Sequence, residues 1–277
     1  MIEKIILGII QGVVEWLPVS SEGVIFLVIN NFFEEGVSLD SITKQALFLH
    51  FGTFLAALVY FRKDIFSIII VLFKSLKEKN FQKFKHKKEG KIFIFLFFST
   101  FISGVLGLIF LKFFLSYFDQ IDFIINWINF FIAIFLMITG LLQIIISKQS
   151  KDKNIRNLDD LKIKDGIILG FIQAMAILPG LSRSGLTVSG LLFRRFNQND
   201  ALSMSFLMSL PLVFIANIIL NIREFNFNSL NLISLFCSFI FGLLTIKLLL
   251  KIVNKINFGY FVLVFGFILL LFSAFLT

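Results

Sequence analysis

The stretch that decides the fold of this chain is ILGIIQ at residues 6–11, followed by LPVSSEG at residues 17–23. A second copy, ILGFIQ at 168–173 and LPGLSRSG at 178–185, begins 162 residues later. Both copies interrupt an apolar run with hydroxyl groups and charges. A repeated break of this kind predicts a binding site at the junction of two similar halves.

The composition is that of an integral membrane protein. The chain has 277 residues, of which 58% are hydrophobic and 16% charged, and 40 are phenylalanine. A soluble domain of this length could not bury so much apolar surface. The runs 92–115 and 123–146 exceed the roughly 20 residues that cross a bilayer as a helix. We therefore expect an all-α membrane protein, and the single cysteine, Cys237, excludes a disulfide framework.

The apolar runs predict six transmembrane helices plus two re-entrant helical hairpins. Each hairpin, at about 2–33 and 166–193, has limbs too short to cross and turns at one copy of the repeated pattern. The first limb lacks a small-residue cleavage site, so we expect it to remain in the mature protein. The crossings are predicted at about 46–73, 92–115, 123–146, 201–221, 230–250 and 258–276. The first is long, and it either continues through the charged group at 62–64 or ends there.

Loop charge predicts the orientation of these segments. The loop 74–91 contains eight lysines against two glutamates, and 148–165 contains six basic residues, whereas 117–122 is acidic. By the positive-inside rule the basic loops are cytoplasmic. This pattern also explains the net charge of +9 without a nucleic-acid partner.

Three crossings separate the two hairpins, so the hairpins enter from opposite faces. The chain is then an inverted-topology repeat, with halves 1–147 and 166–277 joined by a basic cytoplasmic linker at 148–165. We expect it to lie in the cytoplasmic membrane.

The two turns have the chemistry of an anion site. Ser20 and Ser21 precede one short helix, and Ser182 and Ser184 precede the other, as helix-capping residues do. Free N–H groups and the helix dipole at two such ends favour a phosphate. Arg183, in the second turn, has a planar fork of donors that binds phosphate.

Two acidic residues, Glu15 and Glu22, accompany the first turn. Glu15 lies four residues after Gln11, so these two side chains share one helix face. Glu15 could bind a hard cation such as Mg²⁺, act as a base, or neutralise Arg183. Glu22 either joins a metal shell or faces water.

The remaining polar residues have two interpretations each. Ser21 is a candidate nucleophile or a simple cap. Thr187 donates to phosphate or bonds back to its own helix. His50 is either a site residue or a hydrogen-bonded interior histidine.

These motifs resemble the undecaprenyl-diphosphatase family, also called bacitracin-resistance phosphatases. The resemblance rests on Gln11 and Glu15 with LPVSS at 17–21, and on PGLSRSGLT at 179–187. It extends through LHFGT at 49–53 and the segment 206–211, and spans essentially the whole chain.

The resemblance implies hydrolysis of a polyprenyl diphosphate to its monophosphate and inorganic phosphate, which recycles the lipid carrier of cell-wall synthesis. It also implies a divalent cation, Mg²⁺ or Ca²⁺, at the acidic motif of Glu15 and Gln11. Ser21 matches the serine implicated in catalysis and Arg183 the phosphate-binding arginine. The other matching polar positions are Ser20, Ser182, Ser184 and Thr187.

One departure from the family pattern concerns the mechanism. Bacterial members usually carry histidine three residues after the second serine, where this chain has Val24, and Glu22 replaces a small or hydroxyl residue. The role of that histidine falls to Glu15, Glu22 or His50.

The sequence thus predicts a polyprenyl-diphosphate phosphatase in which Glu15 and Arg183 face one another across a shared cavity. Ser21, or a water activated by Glu15, attacks the terminal phosphorus. The alternative is a carrier or flippase that moves a polyprenyl phosphate or another anion through the same pocket, and an inactive scaffold is a third reading. Candidate partners are the lipid substrate, membrane lipids and a second copy of the chain.

Overall fold

The computed structural model describes residues 2–33, 39–118, 122–149, 155–177, 181–221, 228–252, 255 and 257–276. Within these residues the chain is helical, and the one β-type contact is an isolated bridge between Arg156 and Phe196. Pro179 and part of the predicted outer loop 117–122 lie outside the described residues. The α-helices in chain order are α1 (Ile2–Val14), α2 (Ser21–Val28), α3 (Leu39–Tyr60), α4 (Arg62–Lys77), α5 (Phe81–His86), α6 (Lys88–Phe118), α7 (Asp122–Gln149), α8 (Ile163–Ala174), α9 (Arg183–Phe193), α10 (Gln198–Ala216), α11 (Ser229–Ile252) and α12 (Phe258–Leu276).

Several helices have the length and composition of membrane spans, which confirms an all-α membrane protein. By these two criteria, three segments of the described chain are long and apolar enough to cross: Lys88–Phe110, Gln198–Ile219 and Ser229–Ile252. They coincide with three of the predicted crossings. Two shorter apolar helices, Phe130–Ile146 and Gly259–Leu271, fall within two more.

The structure shows where the helix of the long crossing predicted at 46–73 ends. The helix α3 ends at Tyr60, Phe61 forms a turn, and α4 begins as a separate helix at Arg62. Asp64 lies in the first turn of α4, where a carboxylate favours a helix start. The helix therefore ends at the charged group, which is one of the two alternatives that the sequence allows.

Each repeated break lies between two short helices. The first lies between α1 and α2, and a π-helical turn, Ile29–Phe33, follows α2. The second lies between α8, which a 3₁₀ turn at Met175–Ile177 follows, and α9. The helix α8 begins inside the predicted linker because the Asp165 carboxylate accepts the Lys162 N–H at 2.9 Å and caps it.

Glycines bring each hairpin onto a helix of the opposite half. The helix α1 packs along α11, and α8 packs along α6. A Cβ on Gly12 would lie 2.8 Å from the Gly242 nitrogen, and one on Gly170 would lie 2.9 Å from the Ser99 carbonyl oxygen. In both pairs the residue numbers rise in the same direction along the two packed helices, so the helices run parallel. This exchange between halves sets the two turns side by side.

Candidate active site

A serine caps each short helix that follows a turn, as the sequence predicts. The Ser20 hydroxyl accepts the Gly23 N–H at 3.2 Å, and the Ser182 hydroxyl accepts the Gly185 N–H at 3.1 Å. Each cap satisfies one of the N–H groups that have no partner inside the helix. The two helix ends therefore have the same local structure.

The two turns are bonded to each other. The Ser184 hydroxyl donates to the Leu17 carbonyl at 2.7 Å, across 167 positions of sequence. The Arg183 guanidinium donates to Glu15 Oε1 through Nη2. The predicted meeting of Glu15 and Arg183 from opposite halves is confirmed as a direct ion pair.

The Glu15 carboxylate is the centre of the site. It is only 4% exposed, so its charge must be compensated by donors and a cation. Its Oε2 accepts from Gln11 Nε2 at 2.9 Å and from the Ser21 hydroxyl at 2.7 Å, and lies 2.9 Å from His50 Nε2. Arg183 occupies the other oxygen.

His50 belongs to this cluster and is oriented by its own helix. Its Nδ1 lies 2.7 Å from the Ala46 carbonyl oxygen, which can only accept, so Nδ1 carries a hydrogen. The other nitrogen, Nε2, then faces Glu15 and lies 3.4 Å from the Ser21 hydroxyl. A contact of 2.9 Å between Nε2 and a carboxylate oxygen is a hydrogen bond only when Nε2 also carries a hydrogen, so His50 in this cluster is the imidazolium and donates to Glu15.

Two residues that sequence reasoning missed place His50. The Ser238 hydroxyl of α11 donates to the Leu49 carbonyl at 2.8 Å. A Cβ on Gly52 would lie 2.6 Å from the Leu235 carbonyl, so this glycine lets α3 approach α11. The small residues of α11, which recur every four positions at Ser234, Ser238 and Gly242, are the signal that could have predicted this contact.

Among the residues that the structure describes, the buried Nη1 of Arg183 and Oε1 of Gln11 have no hydrogen-bond partner. The first is a free donor for an anion, and the second is a free acceptor. Glu22 is close enough to His50, Glu15 and Arg183 to interact electrostatically with them, so two carboxylates border the same cluster.

The hydroxyls of the second motif are held by protein groups. The Thr187 hydroxyl bonds to the Arg183 carbonyl at 2.8 Å and to the Ser205 hydroxyl at 2.6 Å, which fixes α9 against α10. Ser182 and Ser184 lie 3.2 Å apart, oxygen to oxygen. The structure does not bring Thr187 into contact with Glu15 or Ser21, and its phosphate contact stays a prediction.

A family model described as Bacitracin resistance protein BacA matches residues 4–269 of the chain. This chain belongs to that family. The chain is similar to an Undecaprenyl-diphosphatase of Methanococcoides burtonii, with which it is 38% identical over 94% of this chain and 93% of the relative. Proteins of the same name from Methanococcus maripaludis and Alkaliphilus metalliredigens are 34% and 32% identical, over at least 98% of each chain.

Val24 stands where the resemblance described above implies a histidine. Val24 lies on α2, whereas His50 reaches the same carboxylate and serine from α3. Of the three residues that could take over the role, His50 is the one with an imidazole in contact with both Glu15 and Ser21.

Proposed function

We propose that the chain hydrolyses an undecaprenyl-type polyprenyl diphosphate to the monophosphate and inorganic phosphate, recycling the lipid carrier of cell-envelope glycan synthesis. The observation that carries this proposal is the buried Glu15–Arg183 pair, whose free Nη1 points to an anionic ligand. The relatives named undecaprenyl-diphosphatase support the same substrate class.

Each side chain of the cluster has a role in this reaction. Arg183 binds the oxygens of the diphosphate and offsets charge that develops on them during transfer. Ser21, or a water held by Glu15, attacks the terminal phosphorus, and the polyprenyl monophosphate leaves as the bridging P–O bond breaks. Attack by water gives inorganic phosphate directly, whereas attack by Ser21 gives a phosphoserine that water then hydrolyses to inorganic phosphate and free Ser21. The proton of the nucleophile goes to Glu15, whose Oε2 accepts the Ser21 hydroxyl at 2.7 Å, and the positive charge of His50 offsets charge on the phosphate.

We propose that Glu15 and Gln11 hold a divalent cation, Mg²⁺ or Ca²⁺, together with the substrate. The free Oε1 of Gln11 fits a hard cation, which prefers oxygen ligands. Among the described residues no three His, Cys, Asp or Glu form a metal cage, so phosphate and water would supply the other ligands. Such a cation neutralises phosphate charge that the carboxylates of Glu15 and Glu22 would otherwise repel.

We further propose that the chain lies in the cytoplasmic membrane as two inverted halves, each with a re-entrant hairpin and three crossings. The parallel packing of α1 on α11 and of α8 on α6 supports hairpins that enter from opposite faces. The basic loops face the cytoplasm and the site opens outward, with the prenyl tail against lipid-facing helices. A homodimer is a further proposal, which cross-linking in native membranes tests.

Phosphate release from a long-chain prenyl diphosphate by the purified protein tests the activity. We expect Arg183→Ala to lose about 100-fold or more of the turnover. Arg195→Gly, which removes an equal charge from an exposed position with φ of 67°, should keep full turnover. A chelator should abolish release and added Mg²⁺ or Ca²⁺ should restore it.

Two results would contradict the proposal. Full turnover by Arg183→Ala would show that the arginine does not have the phosphate-binding role. Transfer of labelled lipid phosphate across proteoliposomes, without phosphate release, would support the carrier in place of the hydrolase.

A further inference from the structure

The helix α4 exposes a stripe of large apolar side chains. Phe66, Ile70 and Phe73 are 63%, 62% and 66% exposed, and their spacing of four and three residues puts them on one face. Lys74 and Lys77, each four residues after a member of the stripe, are exposed beside it. The exposed side of α4 is therefore apolar in its centre and basic along its edge.

The opposite side of α4 is fixed to the protein. Ile68 is buried in the hydrophobic core that also contains Trp16, the neighbour of Glu15. The Ser67 hydroxyl donates to Glu89, at the start of α6, at 3.3 Å. These contacts prevent α4 from turning its apolar stripe inward.

The dimensions of α4 do not suit a crossing. Its 16 residues extend about 24 Å at 1.5 Å per residue, less than the roughly 30 Å of a hydrocarbon core. Basic residues stand at both ends, with Arg62 and Lys63 at one and Lys74 and Lys77 at the other. A short helix with these ends suits the surface of a bilayer.

Most of the net charge of the protein surrounds this helix. Residues 62–91 contain ten basic and three acidic residues, in a chain whose net charge is +9. The short helix α5 continues the pattern, since its exposed Phe81 is covered by the Lys85 ammonium at 5.1 Å from the ring centre. Basic residues beside exposed aromatic rings complement an anionic lipid surface.

We propose that α4 and α5 form a membrane-surface arm, residues 62–86, that lies in the plane of an anionic phospholipid leaflet. The apolar stripe rests among the acyl chains, and the lysines bind the phosphate groups of the lipids. Because the attraction is electrostatic, its selectivity for anionic lipid falls as salt rises. This binding is independent of the phosphatase activity.

The depth of the arm is tested with Ile70→Trp, at the middle of α4, in a Trp127→Phe background. The remaining Trp16 is only 2% exposed and is shielded from lipid. The protein is reconstituted in vesicles of phosphatidylcholine and phosphatidylglycerol brominated at defined depths. Bromine near the headgroup end of the chain should quench the new tryptophan more than bromine deeper in the bilayer.

The same vesicles test the lipid selectivity. Brominated phosphatidylglycerol should quench roughly twofold or more better than brominated phosphatidylcholine at low salt, and the preference should disappear at high salt. The triple variant Lys63→Gln, Lys74→Gln, Lys77→Gln should lose the preference. The control Lys164→Gln, Lys251→Gln, Lys255→Gln removes the same charge from exposed positions outside the arm and should keep it.

Three outcomes overturn the proposal. Stronger quenching by deep bromine would make α4 part of a crossing. Equal quenching by both lipids at low salt in the parent would show that the arm does not prefer anionic lipid. Equal quenching by both lipids in the control variant, as in the arm variant, would show that the preference does not come from the lysines of the arm. No quenching by either lipid would mean that protein covers the stripe.

Discussion

Four donors from four different helices converge on the carboxylate of Glu15. They are Gln11, Ser21, His50 and Arg183, and three of them share a single oxygen. A buried carboxylate held in this way has its orientation fixed before substrate arrives. The same donors can transfer their bonds to a phosphate without a change of fold, which is what a phosphatase site needs.

The chain offers a matched pair of histidines for a test of this cluster. His50→Gln keeps an amide donor near Glu15 but removes the positive charge of the imidazolium, so kcat should fall about 10²- to 10³-fold with little change in KM. His86→Gln alters the one other histidine, exposed at the end of α5, and should keep full kcat. Steady-state kinetics and thermal unfolding of both variants check this. Unchanged kcat in His50→Gln would exclude a catalytic role for His50.

The site shows which residue contacts the sequence could predict. Gln11 and Glu15 are four residues apart on one helix, so the local pattern predicts their contact. Arg183 begins the helix after the second break, which repeats the first break, so the symmetry of the two breaks predicts that Arg183 meets Glu15. The contact of His50 with Ser21 depends on how α3 packs against α11 through Gly52. That packing joins residues far apart in sequence. The small residues that recur every four positions on α11 indicate a face that a helix can approach, but they do not say which helix approaches it.

At the scale of helices, close approach of α1 to α11 decides whether the first turn reaches the second. In Gly12→Ala the new Cβ would lie 2.8 Å from backbone atoms of Gly242 and Ser238, which cannot move without shifting α11. We expect a loss of about 1–3 kcal/mol of stability together with most of the activity. Thermal unfolding and phosphate release measure both.

The control for that substitution is Gly104→Ala on α6. A Cβ there meets nothing within 4 Å, and alanine is the better residue inside a helix by about 0.5–1 kcal/mol. This variant should be as stable as the parent or more so. If both glycine variants behave alike, helix contact is not what Gly12 provides.

Asp165, at the start of α8, should make stability depend on pH. Burial raises the pKa of its carboxyl, but hydrogen bonds from Arg156, the Lys162 N–H and Arg194 lower the pKa by more, so it lies below its ordinary value. A carboxyl with a lowered pKa contributes stability above its ordinary pKa of about 4, and this contribution is lost as pH falls through the folded-state pKa.

Asp165→Asn should therefore lower the free energy of unfolding at pH 7 by about 1–3 kcal/mol. Thermal unfolding should show this as a lower melting temperature. Its difference from the parent should shrink as pH falls below about 4. Asp159→Asn, at an exposed position nearby, should differ little from the parent at either pH. A constant difference between Asp165→Asn and the parent across pH would contradict this account.

Helix boundaries show where composition reaches its limit. The sequence predicts α6, α10 and α11 well because their apolar runs end at charged or polar loops on both sides. It leaves open whether α3 continues through residue 73, because apolar residues continue beyond the charged group at Arg62, Lys63 and Asp64. The turn at Phe61 and the packing of Ile68 and Ser67 against the protein distinguish α4 from a continued crossing.

At the scale of the whole molecule, the proposed topology brings two hairpins from opposite faces to one cluster of charges. Cysteine labelling tests that arrangement in a Cys237→Ser background, since the chain has no other cysteine. Ile2→Cys and Ser229→Cys, at exposed starts of α1 and α11, should react with an impermeant maleimide added outside spheroplasts. Lys164→Cys, at the exposed start of α8, should react only after permeabilisation, because α8 runs parallel to α6 from the basic face. Labelling of Ile2→Cys and Lys164→Cys from the same side would mean that the hairpins enter together. The contact between Arg183 and Glu15 would then have to arise in a topology other than two opposed hairpins.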